Sequence, residues 1–248
     1  MMREEKNPAI LCRDVRKAFG PVMAVQGLNL QVFPGELYAL LGVNGAGKTT
    51  TIKLLTGLLR PDGGTLEILG KKLPQEMEAM RRITAVSPQE TAVAGLLTVR
   101  ENLELMARVH GLGKKEGRKR ASDTINALGL QPVKDRRAKT LSGGWQRRLS
   151  IAMALIGEPQ VLYLDEPTLG LDVLARRELW REVESLKGKT TIVLTTHYME
   201  EAQALSDRVG IMAGGRLLEE GTVEELCEKT GGENLEEAFV RLVEEEPS

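Results

Sequence analysis

Aromatic residues are scarce in this 248-residue chain, with three Phe, three Tyr and two Trp, so a folded core must be built from aliphatic side chains. Hydrophobic residues make up 42% and charged residues 28%, which supports a sizeable core and excludes a disordered chain. Cysteine is nearly absent. Cys12 and Cys227 stand far apart, match no metal-ligand or redox spacing, and read as reduced thiols of a cytosolic protein. A formal net charge of −1 argues against sequence-independent binding to nucleic acid, which needs many phosphate-neutralising side chains. No stretch reaches the roughly 20 apolar residues of a membrane-spanning helix. Met1 to Lys6 lead into no hydrophobic signal region, so secretion is not expected, and work at a membrane would require another chain to hold this one there. Internal repeats and low-complexity linkers are also missing, so one catalytic unit is the economical reading.

What is present begins with short aliphatic runs. Ala9 to Ala18, Val22 to Phe33 and Leu37 to Leu41 are separated by turns, and Pro34-Gly35 punctuates the last two. Further strands are expected at Ile83 to Val86, Val161 to Leu164 and Ile192 to Leu194, because buried parallel strands read as continuous aliphatic runs. Between Gln89 and Ile156 the pattern turns helical, and Thr98 with Glu101 forms a capping-box signature. The sequence therefore predicts an α/β core with a helical insertion. It also predicts a helical end from Thr222 to Val243, followed by a solvated charged tail at Glu244 to Glu246.

Gly42-Val43-Asn44-Gly45-Ala46-Gly47-Lys48-Thr49 has the spacing of a phosphate-binding loop, preceded by a strand and followed by a helix. Its glycines let backbone N–H groups converge on phosphate oxygens, and the helix offers its positive end to the same anion. Asn44, Gly45, Ala46, Gly47, Lys48, Thr49 and Thr50 are thus candidates for nucleotide binding. Lys48 would reach the β- and γ-phosphates, and Thr49 would hold magnesium. The run Val161 to Leu164 delivers Asp165 and Glu166 at a strand's C-terminal end, where ligands bind in open α/β sheets. Asp165 would support the magnesium shell and Glu166 would orient or deprotonate the attacking water. His197 ends another strand. It could bridge the γ-phosphate and Glu166, or simply be a satisfied histidine at a strand end. His110, near Gly111 at a helix end, reads as structural.

Leu141-Ser142-Gly143-Gly144, placed ahead of Asp165, resembles the signature of ABC-type ATPases. The resemblance extends to Gln89 as the glutamine loop, Leu171-Asp172 as the aspartate loop, His197 as the switch histidine, and Phe19 where the family keeps an adenine-stacking aromatic. It implies a P-loop NTPase fold with a RecA-like core, an N-terminal antiparallel β subdomain and an inserted α-helical subdomain. On that reading 1–248 form one ABC ATPase domain: core 9–88 and 157–221, helical subdomain 89–156, C-terminal helical extension 222–248. The resemblance further implies ATP and Mg2+ as ligands, with Gln89 joining Thr49 and Asp165 at the metal. It makes Glu166, His197 and Gln89 the catalytic set and adds Phe19, Ser142, Gly143, Gly144 and Asp172 to the nucleotide-binding residues, with Ser142 and the helix after Gly144 acting across a head-to-tail pair of subunits, a homodimer by default. Trp145 departs from the glutamine common at the fifth signature position.

The segments Thr195 to Ala202 and Leu235 to Leu242 are similar to ATPase subunits of multidrug-type exporters of bacteria and archaea. That likeness implies a peripheral protein at the cytoplasmic face of the membrane, powering a separate transmembrane permease, with no nucleic acid as partner. An importer ATPase subunit, or a soluble ABC ATPase acting on ribosomes or DNA, are the alternatives.

Overall fold

A computed structural model describes residues 7–244, so the expectations for Met1 to Lys6 and for the tail beyond Glu244 lie outside the described residues. In chain order the strands and helices are β1 (Ile10–Phe19), β2 (Val22–Val32), β3 (Leu37–Leu41), α1 (Lys48–Leu55), β4 (Gly63–Ile68), β5 (Lys71–Leu73), α2 (Met77–Arg81) and β6 (Thr84–Ser87). Three longer helices follow: α3 (Val99–Val109), α4 (Lys114–Ala127) and α5 (Gly143–Leu155). The chain then returns through β7 (Val161–Asp165), α6 (Val173–Glu184), β8 (Thr191–Thr196), α7 (Met199–Leu205), β9 (Arg208–Ala213), β10 (Arg216–Gly221), α8 (Val223–Thr230) and α9 (Leu235–Glu244).

Two sheets organise these elements. An antiparallel sheet has the order β2-β1-β4-β5, and a six-stranded sheet has the order β10-β9-β3-β8-β7-β6. In the larger sheet β9-β3-β8-β7-β6 pair in parallel and only β10 runs antiparallel, on β9. The run Leu37 to Leu41 is uniformly apolar because β3 is covered on both faces. Tyr38 and Leu40 point into a core shared with the antiparallel sheet and α1. Leu37, Ala39 and Leu41 point into a second core shared with α6, α7, α8 and α9. A third core, from α3, α4 and α5, holds Val99, Leu103, Ile125 and Leu149. These helices occupy the excursion between β6 and β7, as the change of pattern after Gln89 predicts.

The capping box is present: Thr98 accepts from the Glu101 N–H while the Glu101 carboxylate accepts from the Thr98 N–H. One expectation needs correction. The helical end is not continuous from Thr222 to Val243, because α8 stops at Gly231, which adopts φ 70°, and α9 begins at Leu235. Gly231 in this left-handed conformation closes α8 as a helix C-terminal glycine does.

Candidate functional site

Strand register brings the chemistry to one edge of the larger sheet. Leu41 pairs with Thr196 and Asp165 pairs with Thr195, so the residues following β3, β7 and β8 emerge side by side. Those residues are the glycine-rich loop, Glu166 and His197. They line a cavity of about 430 Å3 together with Gln89 and the 44–50 segment. Gly47, at φ 101°, is required twice over. Its conformation is strained for other residues, and an added Cβ would lie 2.4 Å from the Ala24 carbonyl oxygen.

Lys48 opens α1 and is nearly buried. Its ammonium donates to the carbonyls of Gly42 (2.8 Å) and Val43 (3.1 Å) and lies 3.2 Å from a Glu166 oxygen. The other Glu166 oxygen is 2.8 Å from His197 Nδ1. A cation, a carboxylate and an imidazole thus form one chain of contacts across the cavity wall. Glu166 itself has φ 47°, an uncommon conformation for a residue with a side chain. Its N–H is held by both the hydroxyl (3.0 Å) and the carbonyl (3.1 Å) of Thr195. Backbone strain of about 1–3 kcal/mol survives only where the surroundings over-determine the conformation, which those two bonds do.

Asp165 sits behind the wall. Its Oδ1 accepts from Thr195 Oγ1 at 2.6 Å and from Thr49 Oγ1 at 3.2 Å, joining β7, β8 and the start of α1. An oxygen-only set of Thr49, Asp165 and the nearby Gln89 amide suits a hard divalent cation such as Mg2+, which keeps several waters and phosphate oxygens among its ligands.

Other sequence candidates fall elsewhere. Ser142 is the exposed N-cap of α5, and Gly143 and Gly144 form its first turn, all outside the cavity. Asp172 is exposed, and its carboxylate accepts from the N–H groups of Leu174 and Ala175 as the N-cap of α6. Phe19 ends β1 and is half exposed. It pairs with the cavity-lining Val22, with the Lys17 ammonium 5.7 Å from its ring centre, so it stands beside the cavity and does not line it. His110 packs against Gly157, where any Cβ would collide with the imidazole, in keeping with a structural role. Trp145 lies under the Arg148 guanidinium, 4.5 Å away, and Arg148 in turn binds Glu178 and Glu182 of α6.

Sequence reasoning missed Thr195, which bonds to both acidic residues, and Arg147, whose guanidinium is buried behind them. Each left a trace. Thr195 and Thr196 are polar residues closing an otherwise apolar strand, and Arg147 shares the spacing of Ile151 and Ala154 on the buried face of α5.

A family model described as ABC transporter matches residues 25–169, more than half of the chain. The chain is 42% identical over 229 residues to a daunorubicin resistance ATP-binding protein of Streptomyces coeruleorubidus, covering 92% of this chain and 72% of that protein. It is likewise 42% identical over 222 residues to a Nod factor export ATP-binding protein of Burkholderia orbicola, covering 89% and 73%. Among solved structures it superposes on an ATP-binding cassette captured as a dimer in a post-hydrolysis state with ADP and Pi, at a TM-score of 0.77 and 26% identity. That match covers 86% of this chain and 98% of the other. The chain therefore belongs to the ABC transporter family, as an ATP-binding and ATP-hydrolysing member of it.

Proposed function

We propose that the chain powers export through a separate membrane-spanning permease, working at the cytoplasmic face of the membrane as a head-to-tail homodimer that closes on two ATP molecules. Support for export comes from the relatives, one named for daunorubicin resistance and the other for Nod factor export. Among the described residues no helix is long and apolar enough to cross a membrane. The observation that carries the paired arrangement is the split site: Lys48, Glu166 and His197 meet in the cavity, while the free N-terminus of α5 at Ser142-Gly143-Gly144 faces solvent outside it. A helix N-terminus with unsatisfied N–H groups suits a phosphate, and a second copy can supply one to this cavity.

In this reading the 44–50 segment and the start of α1 receive the β- and γ-phosphates. Lys48 exchanges part of its contact with Glu166 for phosphate oxygens, and Glu166 is freed to orient and deprotonate the attacking water. His197 keeps hold of Glu166 and donates to the γ-phosphate. Thr49, Asp165 and Gln89 would hold Mg2+, which would supply positive charge to offset that of the phosphates. Phe19 stacks on adenine beside the cavity mouth, and Asp172 keeps α6 capped at the dimer face. The catalytic core (9–88 and 157–221) carries the bound nucleotide. The helical part (89–156) presents Ser142 to the partner copy and docks on the permease, and the extension (222–248) braces the core. Replacing Glu166 by Gln tests the scheme: ATP binding should persist, hydrolysis should fall at least about a hundredfold, and a dimer should accumulate with ATP on gel filtration. A Glu166→Gln chain that hydrolyses at the native rate would remove Glu166 from this role, and one that stays monomeric with ATP would refute the paired site.

A further inference from the structure

Arg147 is a buried cation that forms no ion pair with a carboxylate among the described residues. Its guanidinium spends its donors on four backbone carbonyls from two separate loops. Nε donates to Pro167 at 2.8 Å, one terminal nitrogen to Asp165 at 2.6 Å, and the other to Pro88 and, at 3.3 Å, to Gln89. The Asp165 and Pro167 carbonyls flank Glu166 on either side, and Gln89 stands on the cavity wall. Burial draws the guanidinium down to about 10, and the negative charges of Asp165, Glu201 and Glu166 pull it back up, so it stays charged at neutral pH. A charged, hydrogen-bonded fork of this kind is a rigid connector.

What it connects is set by α5. Ser142 caps that helix, Gly143 and Gly144 form its first turn, and Arg147 lies one turn further along the same rigid rod. The end exposed to solvent and the end bonded to the Gln89 and Glu166 segments are thus only about 6 Å apart along one helix axis.

We propose that Arg147 is the positioning residue that makes the two nucleotide sites of the dimer act together. Resting on the paired-site reading above, it transmits the seating of α5 on the partner copy's ATP to the peptides holding Glu166 and Gln89 in this copy's own cavity. Arginine suits the task because its planar fork fixes direction at four acceptors at once, where an apolar residue of the same length fixes none.

The test uses the full chain with Arg147→Met and Arg147→Gln, read by steady-state ATPase rates against ATP concentration, fluorescent-nucleotide affinity and thermal melting. Arg147→Met should bind nucleotide within about twofold of the native chain, lose about ten- to a hundredfold in kcat, and show a Hill slope reduced towards one. Arg147→Gln, whose amide keeps two of the donors, should recover part of both kcat and slope. Native kcat and slope in Arg147→Met, whatever its melting temperature, would overturn the proposal. Equal loss in Arg147→Gln and Arg147→Met with both slopes unchanged would overturn it too, as the mark of a merely structural residue. A Glu166→Gln chain that fails to dimerise with ATP would instead bring down the paired site, and the coupling with it, so the two failures are told apart.

Discussion

Thr195→Val isolates a single hydroxyl in the site. Valine nearly matches threonine in shape, and Thr195 is fully buried, so the substitution leaves packing close to intact while deleting one donor and one acceptor. The donor is the costlier loss, because Oγ1 gives a 2.6 Å bond to the Asp165 carboxylate. A hydrogen bond to a charged group is worth about 1.5–3 kcal/mol. The acceptor loss is small, since the Glu166 N–H keeps the Thr195 carbonyl at 3.1 Å. The sum is about 2 kcal/mol, which for a chain of this size lowers the melting temperature by about 4–8 °C. Function should change as well. With only the Thr49 hydroxyl left to steer it, Asp165 should hold Mg2+ less well, and half-maximal ATPase activity should need several times more Mg2+. Differential scanning fluorimetry and a Mg2+ titration of ATPase activity read the two effects, and Thr195→Ser should restore both. A Thr195→Val chain that melts within about 1 °C of the native one, with an unchanged Mg2+ dependence, would show that Asp165 is positioned by something else.

Lys48→Ala should weaken ATP affinity at least about tenfold in a binding titration. It should also lower stability by about 3 kcal/mol, because the buried Glu166 loses its cation; unchanged affinity would contradict the cradle. A pH effect is expected between α5 and α6. Burial pushes the Glu182 carboxyl from its ordinary 4.5 up to about 7, against the opposing pull of Arg148. The folded chain therefore keeps a proton there that the unfolded chain releases between these two values, so this group's contribution to stability falls as pH rises through that window. Urea midpoints measured across it should decline more steeply for the native chain than for Glu182→Gln, and parallel slopes would exclude the assignment.

Much of this was legible in the sequence because it is local. A phosphate loop is a contiguous run between a strand and a helix, and Gly42 to Thr49 sits there as expected. Asp165 and Glu166 were readable for the same reason, as charges at the end of an apolar run. Strands β4, β5, β9 and β10 escaped notice because their alternation is broken by glycine and charge, as in Arg216-Leu217-Leu218-Glu219-Glu220-Gly221. β4 with β5 and β9 with β10 form local hairpins, but β4 docks on β1 and β9 on β3 far away in sequence, so only the assembled sheets reveal where they belong. The break between α8 and α9 was written in Gly231-Gly232, but an amphipathic stripe on both sides of it read as one helix. Arg147 and Thr195 were hidden for a different reason. Their partners are backbone carbonyls, an N–H and a carboxylate on other elements, which no spacing along the chain encodes.

The outward-facing N-terminus of α5 also bears on how such a motor is switched on. If each cavity is completed by another copy's helix, specific activity is not a fixed property of the chain but rises with its concentration, and a dilute chain idles without any inhibitor. A permease with two docking places would then be a scaffold as well as a client. By tethering two copies it supplies an effective concentration in the millimolar range, so ATP is consumed where there is a gate to drive and spared elsewhere.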